Sequence, residues 1–255
     1  MSAQPTVGWC APEVREEFPQ LRLVVAHAHV RPRASLTGSS PPAIRERLRM
    51  LSDRWAGAQA VTVRRRAVPA AYRIFYRQIG LDPDVRRPPL ELAVLDRMMR
   101  GGFPSRGLLA DILTIALVDT SVPVWALDAQ RLDGPLGVRV SRHGERLGER
   151  AGDGLGDGPG EGQGERPGGG LGERLGGVEV ERQDAQPLAA GRLVVADASS
   201  ALALLFDDPG PAHRVREDSC ELALFAVQVA GVPALHVEEA LWSALSALEW
   251  VAGDL

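Results

Sequence analysis

The stretch "VPVWALDAQRLDGPLGVRV", Val122 to Val140, decides the predicted fold of this chain. It predicts an apolar strand that ends at Asp128, a turn that contains Gly134, and a second strand. The segment just before it, residues 107–118, is mostly apolar over a length typical of a buried helix. After it, residues 191–206 predict two further strands joined at a turn. An apolar helix among several short strands indicates an α+β protein.

The rest of the chain supplies further elements of both kinds. Ser40 is predicted to cap the N-terminus of a helix that has Pro41 and Pro42 in its first turn and ends near Gly57. Helices are predicted over residues 13–20, 40–56, 70–80, 88–101 and 235–252, and strands or extended segments over residues 21–30, 60–66 and 221–229. The prediction is one α+β domain over residues 12–250, with a mixed or antiparallel sheet flanked by helices.

Residues 144–177 differ from the rest of the chain in composition, because 15 of these 34 residues are Gly. Such a segment buries too little apolar surface to offset the entropy cost of ordering its glycines. It is therefore predicted to be a disordered insertion within the single domain. Strands from its two sides are expected to pair with each other in a common sheet.

The formal net charge is −4, and the charges are unevenly distributed. Residues 45–106 contain 14 Arg and 6 acidic residues, whereas residues 196–255 contain 2 Arg and 10 acidic residues. The basic part can attract phosphate groups although the whole chain is acidic. The alternative is that the two parts face each other or are solvated separately. The chain has no Lys and no Asn, which excludes a lysine nucleophile and an asparagine that orients water.

The sequence has no apolar run of membrane-spanning length and no signal-peptide pattern at its start, which predicts a cytoplasmic protein without a membrane partner. Cys10 and Cys220 lack metal-ligand spacing and are predicted to be free thiols. His27 and His29 share one face of a predicted strand, a spacing that supplies two metal ligands. No third ligand cluster accompanies them, so no metal and no other cofactor is predicted.

Two motifs in the chain are shared with one known family. The first is a Pro before a short strand, an Asp at its end, a Leu-Gly turn, an Arg and a Gly-Glu pair, at Pro123, Asp128, Leu132, Gly134, Arg139, Gly144 and Glu145. The second joins an Arg-aromatic helix to an Arg-Pro-containing turn and a helical Glu, at Arg73, Tyr76, Gly80, Pro83, Arg87, Pro88 and Glu91. The chain thus resembles the B3/B4 tRNA-binding domain, which is the editing domain of the phenylalanyl-tRNA synthetase beta subunit, and its free-standing bacterial relatives. The resemblance implies that the ligand is tRNA or aminoacyl-tRNA.

The basic part contains the residues expected to contact RNA. Arginine side chains grip phosphates bidentately, and a tyrosine ring can stack on a base. The predicted RNA-binding residues are Arg64, Arg65, Arg66, Arg73, Tyr76, Arg77 and Arg87. The alternative for this region is structural, with Arg87 forming an internal ion pair with Glu91 or Asp111.

The resemblance also implies a pocket whose chemistry differs from that of the family. Gly107 and Thr114 stand where the synthetase segment has Asn residues, and Trp125 stands where it has a His. The predicted pocket residues are Thr114, Trp125, Arg139 and Asp197. The strands that carry the last three are expected to be neighbours, and Trp125 is expected to make the cavity smaller and more apolar. Hydrolysis would need a different catalytic set, drawn from Asp111, Asp128, Glu145, Asp207 and His213.

Three functions fit these features. The first is an RNA-binding protein related to the editing domain, which recognises aminoacyl-tRNA and, if catalytic, hydrolyses a mischarged ester in trans. The second is a non-catalytic protein that binds an amino acid or another small metabolite. The third is an adaptor of the translation machinery whose acidic C-terminal helix contacts a protein partner. The sequence lacks the ATP-binding signatures of a synthetase and is not predicted to be a complete aminoacyl-tRNA ligase.

Overall fold

The computed structural model describes residues 4–30, 35–55, 60, 62–149 and 187–254. The strands are β1 (Thr6–Val7), β2 (Trp9–Cys10), β3 (Arg22–His29), β4 (Val124–Asp128), β5 (Gly137–Val140), β6 (Leu193–Ala196), β7 (Ala201–Leu204) and β8 (Glu221–Gln228). The α-helices are α1 (Pro12–Glu17), α2 (Pro42–Arg54), α3 (Ala67–Gln78), α4 (Pro89–Arg100), α5 (Leu108–Thr120) and α6 (Ala234–Asp254), and 3-10 helices cover Val63–Arg65 and Ala129–Arg131. Two sheets combined with these helices confirm the predicted α+β class.

Strand β8 is central to the first sheet, which has the order β1-β3-β8-β4 and is antiparallel throughout. It pairs with β3 along its full length, from Glu221 opposite His29 to Gln228 opposite Arg22. Residues 222–227 of β8 are all buried, and this accounts for their unbroken apolar run, "LALFAV". Helix α6 packs against β3, β8 and β4, and it covers much of this sheet.

The second sheet has the order β2-β5-β6-β7, with β2 parallel to β5 and the other pairs antiparallel. β5 and β6 come from the two sides of the Gly-rich segment, so the predicted pairing across that segment is confirmed. β4 is not part of this sheet. The prediction that the strand of Trp125 and Asp128 lies beside the strands of Arg139 and Asp197 is therefore wrong. The turn after β4, in which Gly134 has a φ of 84°, leads the chain from the first sheet into the second.

Helix α5 contacts α2, α4, α6 and β4, and so joins the helices to the first sheet. Its sequence is apolar on nearly all sides, which is typical of a helix that is covered from several directions. The predicted end of α4 at Gly101 is confirmed, because this residue has a φ of 79° and closes the helix in the left-handed conformation.

Two local predictions are wrong. Ser40 does not cap α2, because Pro41 occupies the N-cap position and the Ser40 hydroxyl donates instead to the Asp111 carboxylate, at 2.5 Å. The extended segment predicted over residues 60–66 is wrong for most of its described residues: Val63–Arg65 form a 3-10 helix, and Arg66, which has an extended backbone, is the N-cap of α3. The predicted end of the preceding helix at Gly57 lies outside the described residues.

The Gly-rich segment begins with a packed portion. Leu147 is buried and forms an isolated bridge with Ala201, and the backbone N–H of Gly148 donates to the Ala201 carbonyl at 2.7 Å. On the other side, the backbone N–H of Leu188 donates to the Glu145 carbonyl at 2.6 Å, so the two flanks lie side by side. Of the segment predicted to be disordered, residues 150–177 lie outside the described residues. Its first six residues are part of the described fold, and Leu147 is the one among them that is buried.

No helix in the described part of the chain combines the length and the apolar character that crossing a membrane requires.

We expect that a short Gly-Ser link can replace residues 150–186, because the flanks already meet and loop-closure entropy changes slowly with length. The midpoint of thermal unfolding should stay within about 4 °C of the full chain. The control is Leu147→Ala in the full chain, which should lower the free energy of unfolding by about 2 kcal/mol or more by removing a packed side chain. Loss of cooperative unfolding in the shortened chain would contradict the prediction. Calorimetry measures both variants.

Candidate functional site

One side of α5 remains uncovered by the other helices and forms the wall of a groove. Leu109 and Leu113 lie on this side, one turn apart, and both are only half-buried. Thr114 lies next to them, and its hydroxyl donates to the carbonyl of Ala110 at 2.7 Å. The Thr114 oxygen therefore keeps its acceptor capacity for a ligand.

The groove is about 580 Å³ in volume and has three walls, formed by α5, by β4 and by the loop of residues 208–215. We call it the α5–β4 groove. Thr114 and Trp125, two of the predicted pocket residues, both line it. Arg139 and Asp197, the other two, do not, because they belong to the second sheet. A groove of this volume with mostly apolar walls falls in the range that accommodates small molecules and cofactors.

An aromatic cluster supports the groove from beneath. The Trp125 ring stacks on Phe225 of the neighbouring strand, with ring centroids 5.6 Å apart and an interplanar angle of 16°. Phe206 lies 6.1 Å from Trp125 and 4.9 Å from Tyr76, centroid to centroid. These contacts fix the orientation of the Trp125 ring, which is buried where it lines the groove.

Phe206 adopts a φ of 72°, a left-handed conformation that a bulky residue rarely takes. This sharp change of direction directly precedes Asp207 and Asp208, the residues that begin the loop over the groove. The backbone strain at Phe206 is compensated by its ring, which is buried against Tyr72, Phe75 and Tyr76. The position of the loop thus depends on the packing of one side chain.

Charged groups surround the groove. Arg106 and Arg214 both line it, and Asp208 is the one carboxylate among its described lining residues. Arg106 pairs with Asp96 at 2.7 Å, and Arg214 donates through Nε to the Pro209 carbonyl at 2.8 Å. Both guanidinium groups are anchored while they remain exposed, an arrangement suited to binding an anion.

The predicted catalytic residue Asp111 is buried beneath the start of α5, away from the groove lining. Its carboxylate accepts hydrogen bonds from the hydroxyls of Ser40 and Ser105, both at 2.5 Å, and from the Arg106 backbone N–H at 2.7 Å. These bonds hold the segments before α2 and α5 together. Asp111 therefore acts as a structural acceptor in the described conformation.

Asp128 and His213 lie together at the end of β4, where the backbone N–H of Asp128 donates to the His213 carbonyl at 3.0 Å. The Asp128 carboxylate accepts from the Gln130 backbone N–H, the Arg131 side chain and the Ser219 hydroxyl, so both of its oxygens are engaged by neighbouring residues. His213 is buried, and its Nδ1 has no hydrogen-bond partner among the described residues. Burial lowers the pKa of His213 below its usual value, against the opposing effect of Asp197.

Asp197 is buried at the turn between β6 and β7 and organises that turn. It accepts from the backbone N–H groups of Asp133, Ser199 and Ser200, at 2.8–3.0 Å, and from the Ser200 hydroxyl at 3.2 Å. Burial acts to raise the pKa of Asp197, but these hydrogen bonds to the ionised form outweigh burial and hold the pKa below its ordinary value. The residue thus fixes backbone geometry in the second sheet.

Two further predicted residues form ion pairs. Glu145 accepts from both terminal nitrogens of Arg139 and from the Arg142 backbone N–H. Burial acts to raise the pKa of Glu145, but the Arg139 and Arg142 hydrogen bonds outweigh it, and the pKa is lowered. Asp207 pairs with Arg86. Hence none of the five candidate catalytic residues is among the groove's lining residues, and the structure does not bring the five together.

The predicted RNA-binding residues separate into buried and exposed groups. Arg73 is buried and pairs with Glu91 at 3.0 Å and with Asp84 at 2.7 Å, while Arg64 joins the same network through Glu91 at 3.1 Å. Tyr76 is also buried, and burial together with the Asp207 carboxylate raises its pKa. The Arg73–Glu91 pair thus links α3 to α4, whereas the Tyr76 ring packs against Phe206 and the Arg64 side chain is itself exposed.

The exposed group surrounds this ion-pair network. Arg66 is exposed and lies over the Trp55 ring, 4.4 Å from its centroid. Arg65 and Arg77 are exposed and Arg87 is half-buried, and within the described residues no ion pair engages these three side chains. We call Arg65, Arg77 and Arg87 the Arg patch. Arg87 precedes Pro89 of the groove lining by two residues, so this member of the patch is close to the groove along the chain. The expected internal pairing of Arg87 with Glu91 or Asp111 does not occur, because other residues occupy both carboxylates.

His27 and His29 both point outward from β3, and the described residues include no group of three or more His, Cys, Asp or Glu with the geometry of a metal site. Cys10 and Cys220 are both free.

The sequence did not predict that Arg106 and Arg214 line the groove. The sequence did contain one signal for the groove: Leu109, Leu113 and Leu117 of α5 are spaced four residues apart, and all three line it, although Leu117 itself is buried. Such a spacing predicts a second apolar surface on α5. The two arginines reach it from separate loops, which no local pattern reveals.

Comparison with known proteins gives a partial match, and no family model matches the chain. Over 68 residues, 27% of the chain, it is 37% identical to the phenylalanine–tRNA ligase beta subunit of Xanthomonas euvesicatoria pv. vesicatoria (strain 85-10). The corresponding subunits of Xylella fastidiosa (strain Temecula1) and Streptomyces avermitilis are 35% and 34% identical over the same length. The matched stretch is 8% of each relative's length. A region of this chain is therefore related to part of that subunit.

We predict that Asp197 makes the stability of the protein pH-dependent. Its folded pKa lies below its unfolded value of about 3.9, so its contribution is present above that pH and is lost as the pH falls through the folded pKa. Asp197→Asn should lower the free energy of unfolding by about 1–3 kcal/mol at neutral pH and by less near pH 3. Urea unfolding at the two pH values measures this. Asp218→Asn, at an exposed site, is the control, and equal losses at both pH values would contradict the assignment.

Proposed function

We propose that this protein binds the aminoacylated end of a tRNA, with the amino acid in the α5–β4 groove, and that it does not hydrolyse the ester. The observation that carries the proposal is that the groove joins Thr114 and Trp125, whose positions resemble those of the editing pocket, with Arg106 and Arg214. An apolar cavity edged by guanidinium groups matches an apolar amino acid attached to a phosphate-rich chain. The partial likeness to the phenylalanine–tRNA ligase beta subunit supports the same ligand class.

The apolar surface of the groove favours an amino acid with an apolar or aromatic side chain. Leu109, Leu113 and Trp125 provide contact surface, and the Trp125 ring is held parallel to Phe225 by stacking. Burial of an aromatic side chain in such a site is favourable by about 1.5–3 kcal/mol. The Thr114 hydroxyl lines the groove and donates to the Ala110 carbonyl, so its oxygen can accept a hydrogen bond from the α-amino group of the ligand.

The exposed arginines support RNA as the larger part of the ligand. Arg106 and Arg214 lie at the groove, and Arg87 of the Arg patch is two residues from Pro89 of the groove lining. Exposed arginines at and near a pocket suit a phosphate backbone that continues from the bound end. The overall negative charge of the chain is compatible with this, because its acidic residues concentrate in the C-terminal part.

The positions of the acidic residues support the proposed absence of hydrolysis. Asp111, Asp128 and Glu145 accept hydrogen bonds from neighbouring donors and lie outside the groove lining. A general base must be within hydrogen-bonding reach of the water that it activates. Asp208 is the one carboxylate of the described lining, and it is exposed to solvent.

A second function, binding of a free amino acid or a similar small metabolite, is favoured by the volume of the groove, about 580 Å³. It differs from the first in needing no RNA. The comparison of charged tRNA, uncharged tRNA and the free amino acid distinguishes the two. Under the main proposal charged tRNA binds most tightly, because groove and arginines both contribute.

The groove is tested by Leu113→Glu, which places a negative charge in its apolar wall. We expect affinity for phenylalanyl-tRNA to fall about tenfold or more, and affinity for uncharged tRNA to change little. Leu92→Glu is the matched control, because Leu92 is exposed on α4 and does not line the groove. Filter binding measures all three constants. Equal losses with charged and uncharged tRNA would contradict a role for the groove in holding the amino acid.

Hydrolysis is tested with phenylalanine-specific tRNA that has been mischarged with tyrosine. The unmodified protein should leave the ester as stable as it is in buffer, while the tRNA remains bound. Trp125→His, which introduces the imidazole found in the family, is the comparison. Efficient turnover by the unmodified protein would overturn the non-catalytic part of the proposal.

The Arg patch is tested by reversing Arg65, Arg77 and Arg87 to Glu. We expect weaker tRNA binding and a smaller dependence of the binding constant on salt, since each lost phosphate contact releases about one fewer counterion. Arg45→Glu is the control, because Arg45 is exposed on α2, away from the patch. An unchanged salt dependence in the triple variant would remove the patch from the RNA-binding surface.

A further inference from the structure

Helix α6 exposes a stripe of apolar residues on the side that faces away from the first sheet. Leu235, Trp242 and Trp250 are 62%, 40% and 44% exposed. Their spacings of seven and eight residues place them on one line along the helix. Large apolar side chains aligned in this way are unusual on a surface that contacts only water. We call this line the Trp stripe.

The Trp stripe is surrounded by negative charge. Residues 234–254 contain four carboxylates and no arginine. Glu238 and Glu239 are exposed and lie between Leu235 and Trp242. A surface that docks against the stripe must therefore be both apolar and basic.

Helix α2 exposes a stripe with the complementary character. Ala43, Arg47, Met50 and Arg54 lie on one side of it, along a shallow groove of about 540 Å³. Glu46 also lines this groove, and its carboxylate is paired with Arg49. Met50 is 61% exposed. Residues 42–54 contain four Arg and two acidic residues, a balance opposite in sign to that of α6. We call this line the Met stripe.

The two stripes also correspond in length and in side-chain chemistry. From Leu235 to Trp250 the helix extends about 22 Å, and from Ala43 to Arg54 about 17 Å. The flexible thioether of methionine makes favourable contacts with aromatic rings, so Met50 suits Trp242. Arg47 and Arg54 both pair with Asp119 of α5, which holds them at the edge of the Met stripe. They are thereby positioned to meet Glu238 and Glu239 of another molecule.

We propose that the occupant of each stripe is a second copy of this chain, with the Trp stripe of α6 docked on the Met stripe of α2. Both helices pack against α5, so both stripes belong to the same group of helices. In a twofold dimer the contact is made twice, because residue 242 of each copy meets residue 50 of the other. The dimer is independent of the tRNA function, because neither stripe includes a residue of the α5–β4 groove.

The test is the oligomeric state of the full chain, measured by sedimentation over a range of micromolar concentrations. The unmodified protein should dimerise. Met50→Glu and Trp242→Lys should each raise the dimer dissociation constant about tenfold or more, which is typical of losing a central contact residue. Val85→Glu is the matched control, since Val85 is 82% exposed in a loop outside both stripes. Circular dichroism verifies that each variant is folded.

Mixing the two variants gives a second, sharper result. One contact of the mixed dimer pairs the intact Trp242 with the intact Met50, and the other brings the new Glu and Lys together as an ion pair. Mixing should therefore restore dimers at concentrations at which each variant alone is monomeric. A monomeric unmodified protein, a dimer unaffected by either substitution, or no restoration on mixing would each overturn the proposal.

Discussion

The packing of Phe206 is the interaction on which the candidate site depends. Its ring contacts Tyr72, Phe75 and Tyr76 of α3 and approaches Trp125 of β4, so it joins a helix to the first sheet. Its backbone, in the left-handed conformation, directs the chain from the second sheet into the loop over the groove. The ring contacts compensate for the strained backbone, and the loop that carries Asp208 and Arg214 is placed as a result.

Most of the charged residues predicted from the sequence to be catalytic or to bind RNA form hydrogen bonds or ion pairs within the protein. The Arg73–Glu91 pair is buried between α3 and α4, and the carboxylates of Asp111 and Asp197 each bind several donors. Removing one partner of such a pair leaves a buried charge without compensation, which is strongly destabilising. The arginines therefore have two roles. The buried ones hold elements of the fold together, and only the exposed ones can contact a ligand.

The elements with strong local patterns were predictable. The apolar run of β8 and the periodic pattern of α4 gave the correct type of element, and Gly101 marked the end of α4. The division into two sheets was not predictable, because it depends on how the turn after Asp128 directs the chain, which is a matter of tertiary structure. Ser40 was misassigned for a similar reason: a distant carboxylate, Asp111, competes for its hydroxyl.

The candidate site was predictable in part. Thr114 and Trp125 were expected to share a pocket, and both line the α5–β4 groove. Arg106 and Arg214 were not expected, because they come from loops whose placement depends on Phe206 and on the bonds around Asp111.

The most direct test of the groove is hydrogen exchange with and without saturating phenylalanyl-tRNA. Our account predicts slower exchange of backbone amides in residues 109–117 and 208–215, relative to uncharged tRNA. Unchanged exchange in both segments while the tRNA is bound would contradict it.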